Sequence, residues 1–315
     1  MDISPDQAAK SGPPPAAAPA PKERRFVARW SYLVFFLGLV CTTSAPIFVR
    51  LSEVGPVATG AWRLTLALPF LALLLRFETG PGLGVRALDR KDLWLLALAG
   101  IFFASDLALW NTSVTLTSVA SAAFLANGAP VFVVLGAWLL FRERPSRMFI
   151  AGLVVGVGGS AVMMSESLAM SPRNFIGDAL SLAAAAFYAA YLLAVARSRK
   201  RASTMTLMMF SSAGSAAILW MLAPAMETTL MPATTEGWLV VIGTALLTQV
   251  AGQTLIALSL GYVSSAFSAL ILLLQPVIPT LAAWILFDET LSGMQVVGAV
   301  GIVVGLALAR PRQSL

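Results

Sequence analysis

Apolar residues follow one another in long stretches along this chain, separated by short polar or charged segments. Ten stretches approach the length of about 20 residues that crosses a hydrocarbon core of about 30 Å, the fifth and tenth being shorter. They are residues 30–49, 57–75, 93–111, 119–141, 149–164, 175–196, 204–223, 238–258, 264–287 and 294–309. Because lipid offers the backbone no hydrogen-bonding partner, each stretch is expected to be helical. The pattern predicts an all-α integral membrane protein with ten transmembrane helices.

The fourth and fifth stretches recur later in the chain. The phrase from Pro130 to Glu143 returns as the phrase from Pro276 to Glu289, each residue 146 positions after its counterpart. One copy is separated from the next by five spans, and an odd number of crossings turns the second copy upside down. The sequence thus predicts two five-helix repeats, residues 30–164 and 175–309, with inverted topology around a central cavity. That arrangement is typical of secondary transporters.

Composition agrees with a membrane location and excludes several functional classes. The chain is 58% hydrophobic and 11% charged, with a mean hydropathy of +0.83. It has no histidine and a single cysteine, Cys41, which excludes histidine-containing zinc sites, histidine-based catalysis and an intramolecular disulfide. The sequence also lacks a Walker-type phosphate loop. We therefore expect no enzymatic activity, no cofactor and no metal site.

The distribution of positive charge predicts the orientation. With a cytoplasmic N-terminus, eighteen of the 21 Lys and Arg residues fall on the cytoplasmic side, Arg50 and Arg173 fall outside, and Arg63 lies within a span. Both termini are therefore expected in the cytoplasm. The basic pI reflects this topology and does not indicate nucleic-acid binding. Residues 1–29, rich in Pro and Ala, are expected to be a disordered tail, and residues 310–315 a second, short tail.

The repeated motifs resemble those of a known family. The fourth and ninth spans contain proline, end in Trp138–Glu143 and Trp284–Glu289, and precede Gly-rich spans. In these features the sequence resembles the EamA family of the drug/metabolite transporter superfamily. Its tryptophans within the spans are similar to those of the YddG-type bacterial exporters of aromatic and other amino acids. The resemblance covers residues 30–309 and implies a basket of helices around a central cavity, with the fifth and tenth helices peripheral.

Ionisable residues within apolar spans are the first candidates for a binding site, because burying them in a bilayer is expensive. Arg63 in the second span and Asp106 in the third are expected at equal depth, about 9 Å and about 7 to 8 Å below the outer surface at a rise of about 1.5 Å per residue. An ion pair between them could gate exit or hold the charged groups of an amino acid. The alternatives are a purely structural clasp or an Arg63 side chain that reaches the lipid head groups.

Aromatic and amide side chains form a second group of candidates, because they recognise planar or zwitterionic molecules without a net charge. They could equally fill the core or join helices. These candidates are Trp62, Trp110, Asn127, Tyr188, Tyr191, Gln249, Gln253 and Gln275. Pro130 and Pro276 are candidate hinges, although proline also produces static kinks. Glu143 and Glu289 are expected to cap the helices that follow them or to fix the loops in which they lie.

Taken together, these features predict a secondary transporter that exports small organic metabolites, above all amino acids, including aromatic ones. Its expected location is the bacterial inner membrane. The expected partners are the lipid bilayer and a small-molecule substrate, with a monomer as the simplest state. An importer, a passive channel and a membrane-embedded enzyme acting on lipid-linked substrates are the alternatives.

Overall fold

The computed structural model describes residues 22–77, 89–117, 119–142, 144–165, 174–199, 202–263, 265–287 and 291–309. All regular secondary structure in these residues is helical. The helices are α1 (Lys22–Thr42), α2 (Ala45–Leu51), α3 (Pro56–Phe77), α4 (Arg90–Leu116), α5 (Val119–Ala126), α6 (Ala129–Phe141), α7 (Arg147–Met164), α8 (Phe175–Ser198), α9 (Thr204–Met226), α10 (Thr235–Gly243), α11 (Thr254–Ser259), α12 (Ser265–Leu272), α13 (Val277–Phe287) and α14 (Gly293–Leu308). A π-helical segment, Thr244–Gln253, joins α10 to α11.

The two predicted tails and the two repeated glutamates lie mostly outside the described residues. Helix α1 begins at Lys22, so the last residues of the expected tail are helical. A helix satisfies its own backbone hydrogen bonds and can therefore continue past the apolar stretch. The rest of that tail, the tail at 310–315, Glu143 and Glu289 lie outside the described residues.

Eight helical stretches of the described chain are long and apolar enough to cross a membrane. They are Trp30–Leu51, Pro56–Phe77, Arg90–Leu116, Ser121–Leu140, Arg147–Met164, Phe175–Ser198, Thr204–Met226 and Thr235–Ser259. Helix α14 is also apolar, but has only 16 residues. The protein is therefore a multi-pass membrane protein.

Three of the predicted spans are broken into two helices. The breaks are Thr43–Ser44 between α1 and α2, Asn127–Gly128 between α5 and α6, and residues 273–276 between α12 and α13. A proline lies beside each break. Pro130 occupies the first turn of α6, where its missing N–H costs no helical hydrogen bond, and Pro276 directly precedes α13. The two candidate hinge prolines thus stand at the start of new helices.

Helix packing relates the two repeats to each other. Helix α3 packs on α9, and α7 packs on α14, so each pair joins equivalent spans of the two copies. The third span, α4, packs on α8 and α9, the sixth and seventh. Its counterpart, the eighth span, packs on α1 and α3 through Thr244–Gln253, and on α1 through α11. Exchanging the two repeats converts one set of contacts into the other.

Glycines bring α7 and α14 into close contact. Gly152 meets Gly305, and Gly159 meets Gly298, so the residue numbers rise along one helix as they fall along the other and the helices are antiparallel. A Cβ added at Gly159 would lie 2.8 Å from the Gly298 carbonyl oxygen, too close for any side chain. Small residues allow this approach in a membrane, where packing rather than the hydrophobic effect joins helices.

Two carboxylates connect the loop before α3 to the loop before α10. Glu227 accepts the backbone N–H groups of Val57 (2.6 Å) and Ala58 (2.8 Å) at the start of α3. Glu53 accepts the Thr234 hydroxyl and the Thr234 backbone N–H (3.1 Å) at the start of α10. Each carboxylate satisfies donors that a helix start leaves unpaired. The Thr234 hydroxyl, together with the backbone bonds, lowers the pKa of the Glu53 carboxyl below its ordinary value.

This loop connection predicts a pH-dependent contribution to stability. A carboxyl whose pKa is lower in the folded state stabilises the protein above its unfolded pKa of about 4.3, and that stabilisation is lost as the pH falls through the folded pKa. Thermal unfolding in detergent should show Glu53→Gln melting below wild type at neutral pH, with the difference shrinking in acid. Thr234→Ser, which keeps the hydroxyl, should follow wild type. A difference between Glu53→Gln and wild type that is the same at every pH would contradict this role.

Candidate functional site

A cavity of about 440 Å³ lies between helices from both repeats. Its size falls within the range of about 300 to 1,000 Å³ that suits small organic ligands. The predicted site residues in its wall are Arg63, Asp106, Trp110, Asn127, Tyr188, Gln253 and Gln275, together with the candidate hinge Pro276. In the part of the chain that the structure describes, no group of acidic or cysteine side chains is placed to hold a metal ion.

Arg63 and Asp106 are the two charged side chains among the described wall residues. Arg63 is only 6% exposed; its Nε donates to Gln249 Oε1 (3.1 Å), and its guanidinium carbon lies 5.6 Å from the centre of the Phe103 ring. Within the described residues, no hydrogen bond or close ion pair joins Arg63 to Asp106. The predicted direct pair is therefore replaced by an arrangement in which both charges face one cavity, because Gln249 holds the guanidinium.

Gln249 supports Arg63 from behind the cavity wall. Its side chain is fully buried, and its Nε2 donates to Ser212 Oγ (3.0 Å) while its Oε1 accepts from Arg63. The residue lies in the π-helical segment, whose wider turn changes the direction of side chains relative to an α-helix. Although they lie four residues apart, Gln249 and Gln253 have different surroundings, and only Gln253 lies in the wall.

The two predicted tyrosines also differ in their surroundings. Tyr188 lines the cavity, whereas Tyr191 is 1% exposed and stacks on Phe103 with ring centres 4.6 Å apart. The Tyr191 hydroxyl lies 3.9 Å from the Met208 sulfur, to which it donates. Tyr191 thus fixes Phe103, which in turn lies beneath the Arg63 guanidinium.

Trp62 points away from the cavity although it precedes Arg63 in sequence. Its Nε1 donates to the Leu230 carbonyl (2.9 Å), and its ring packs edge-on against Trp220 and Trp238. Consecutive residues of a helix do not share a face, so Trp62 and Arg63 diverge. Trp110, four residues after Asp106, shares the Asp106 face and reaches the wall.

All three helix breaks contribute to the cavity wall, and two of them carry predicted site residues. Asn127, at the break between α5 and α6, is 4% exposed, and its Oδ1 has no hydrogen-bond partner among the described residues. Gln275 and Pro276 line the wall at the break between α12 and α13. Pro130 is buried beside the first break. Broken helices are a common way for transporters to place polar groups at membrane depth.

Sequence reasoning missed part of the wall. Thr42, Thr43 and Ile47 contribute from the break between α1 and α2, and Met163, Met164 and Gln295 from the ends of α7 and α14. The available signal was local: Ser292 and Gln295 form a capping box, which marks the start of α14. The capping box does not indicate that the Gln295 side chain also lines a cavity.

The contact between Gln249 and Arg63 predicts a loss of stability when the amide is removed. Gln249→Leu leaves a buried guanidinium N–H without an acceptor, which costs about 1 to 3 kcal/mol. Thermal unfolding in detergent should therefore occur several degrees lower. Gln275→Leu is the matched control, because within the described residues this wall side chain makes no hydrogen bond to a charged group. Its unfolding temperature should change little. Equal melting of Gln249→Leu and wild type would show that the amide does not support Arg63.

Comparisons with known proteins agree with this architecture. The EamA-like transporter family matches residues 29–165 and 175–310. An uncharacterized transporter of Archaeoglobus fulgidus is 26% identical over 246 residues, covering 78% of this chain and 86% of the relative. One from Clostridium kluyveri is 23% identical over 227 residues, covering 69% and 72%. A crystal structure of another protein, 20% identical, gives a TM-score of 0.73 over 89% of this chain and 96% of the other, which supports the fold. Because the family match extends over both repeats and most of the sequence, the chain belongs to the EamA-like transporter family of the drug/metabolite transporter superfamily.

Proposed function

We propose that this transporter is a secondary carrier that exports small organic metabolites, above all amino acids, including aromatic ones. The observation that carries the proposal is the presence of one guanidinium, Arg63, and one carboxylate, Asp106, in the wall of a single cavity. A zwitterion presents the complementary pair, with its carboxylate for Arg63 and its ammonium for Asp106. Charge-assisted hydrogen bonds of this kind are about twice as strong as neutral ones.

The remainder of the wall suits the rest of an amino acid. Phe103, Trp110 and Tyr188 provide aromatic surface, which gains about 25 cal/mol for each Å² of apolar area removed from water. Gln253 and Gln275 add neutral hydrogen-bonding groups. Since Arg63 is the one cation of the described wall, a phosphorylated solute or sugar nucleotide would meet too little positive charge.

The packing of the repeats supports transport by alternating access. The antiparallel contact between α7 and α14 is what inverted repeats require of their equivalent fifth and tenth spans. We take α12 with α13 as the ninth crossing and α14 as the tenth. In an inverted pair, one repeat can adopt the conformation of the other, so that the cavity opens to the opposite side of the membrane.

Orientation and location belong to the same proposal. The positive-charge distribution supports cytoplasmic termini in a bacterial inner membrane. It then places Trp110, Met164 and Gln295, all near the outer ends of their helices, on the outer half of the wall. A cavity wall that extends into the outer half of the membrane fits the release step of an exporter. Because α7 and α14 use their glycines within one chain, a monomer suffices.

The proposal predicts saturable exchange. Liposomes containing the protein and preloaded with unlabelled phenylalanine should transiently accumulate labelled phenylalanine, as only a carrier can. Arg63→Gln removes a charged partner of the substrate carboxylate, worth about 1.5 to 3 kcal/mol, and should raise the half-saturating concentration at least about tenfold. Arg76→Gln, an exposed arginine of the same helix, is the control.

Three results would contradict this proposal. Flux that rises linearly with concentration and shows no exchange would indicate a channel. Preferred exchange of a phosphorylated solute would show that the cavity is not a zwitterion site. A half-saturating concentration of Arg63→Gln equal to that of wild type would show that the guanidinium does not bind the substrate.

A further inference from the structure

Asp106 is an acid within the membrane-spanning part of the protein whose carboxylate has no hydrogen bond or close ion pair among the described residues. Its side chain faces the cavity from α4, and within the described residues no protein group donates a hydrogen bond to the carboxylate. Arg63 is the cation that acts on it, through space, while the Arg63 Nε is held by Gln249. A carboxylate in such surroundings must bind a cationic group, water or a proton, because burying it alone is costly.

Few other titratable groups face this carboxylate. Helix α4 packs against α3, α5, α8 and α9. Helix α3 contributes Arg63, and α8 contributes Tyr188 and Tyr191, whose hydroxyls are neutral near physiological pH. Helices α5 and α9 contain no ionisable residue at all. The remaining charges of α3, α4 and α8 lie in the end turns, at Arg76, Arg90, Lys91, Asp92, Asp178 and Arg197.

We propose that Asp106 binds either a proton or the ammonium group of the substrate, never both, and that this exclusion couples export of one zwitterion to entry of one proton. The inference rests on the proposed function, because it assigns the ammonium of an amino acid to Asp106. On the cytoplasmic side, the arriving substrate displaces the Asp106 proton to water. On the outer side, release of the substrate leaves the carboxylate free to take up a proton before the carrier returns.

Charge accounting gives this cycle a direction. In the loaded carrier, Arg63 and ionised Asp106 sum to zero and the zwitterion adds no net charge. In the returning carrier, Asp106 is neutral and Arg63 leaves one positive charge. One positive charge therefore moves inward for each substrate exported, so both a proton gradient and an inside-negative potential would drive export.

Binding of phenylalanine to the purified protein at several pH values tests the exclusion. Phenylalanine keeps its zwitterionic form between about pH 5 and about pH 7, so a pH effect reports on the protein. Where the empty carrier holds the Asp106 proton, the apparent Kd should rise about tenfold for each unit of pH lowered. Asp106→Asn should bind more weakly with a Kd independent of pH. Asp106→Glu should restore the pH dependence.

Proton release provides a second, direct readout that needs no variant. Adding phenylalanine to wild-type protein in weak buffer with a pH indicator should release about one proton per molecule bound at the acidic end of the range. If Asp106→Asn does not fold, this measurement decides alone. A Kd that stays constant from about pH 5 to about pH 7, together with no released proton, overturns the proposal. So does a pH dependence that Asp106→Asn retains.

Failure of the coupling is distinguishable from failure of the proposed function. If phenylalanine exchange in liposomes at equal pH on both sides is saturable but binding is independent of pH, the protein is a carrier without proton coupling. If phenylalanine neither binds nor exchanges at any pH, the proposed carrier function is contradicted, and the proton coupling with it.

Discussion

A guanidinium buried at membrane depth needs compensation from its own protein, and the arrangement of this cavity depends on how Arg63 obtains it. The Gln249 oxygen takes its Nε, the Phe103 ring lies beneath its plane, and Asp106 faces it across the cavity. These partners come from three parts of the chain: α3 carries Arg63, α4 carries Phe103 and Asp106, and the π-helical segment carries Gln249. Fixing this one charge therefore fixes how helices of the two repeats meet. It also leaves the rest of the guanidinium directed at the space where a ligand carboxylate would lie.

The contact between α7 and α14 is the second constraint. Both helices present glycine at matched positions, so the two chain halves approach each other more closely than side chains would allow. Glycines make the contact, and at one end of the helix pair Met163, Met164 and Gln295 belong to the wall. A peripheral pair of this kind can hold the halves together while the central helices change their arrangement. In that respect the packing and the proposed transport cycle depend on the same duplication.

Much of the fold could be predicted from the sequence, because lipid imposes a simple rule on helix length and apolar content. The breaks at Asn127–Gly128 and at residues 273–276 were not predicted, since apolar residues continue on both sides of them and the prolines were interpreted as candidate hinges or kinks within continuous spans. For the candidate site, charge inside a span pointed to Arg63 and Asp106, a spacing of four residues pointed to Trp110, and all three line the cavity. Trp62 lies outside this wall because adjacent residues diverge on a helix. Gln249 lies outside this wall because Arg63 and Ser212 engage its amide group, and the sequence pattern does not show that engagement.

The central claim is that Arg63 and Asp106 hold the two ends of one zwitterion. The most direct test is competition for the phenylalanine site by two ligands that each keep one charge, phenethylamine with the ammonium and 3-phenylpropionate with the carboxylate. Both keep the aromatic ring, so apolar burial is nearly unchanged. The account predicts that each binds at least about tenfold more weakly than phenylalanine, because each leaves one buried protein charge without its partner. Binding of either compound as tight as that of phenylalanine would contradict the account.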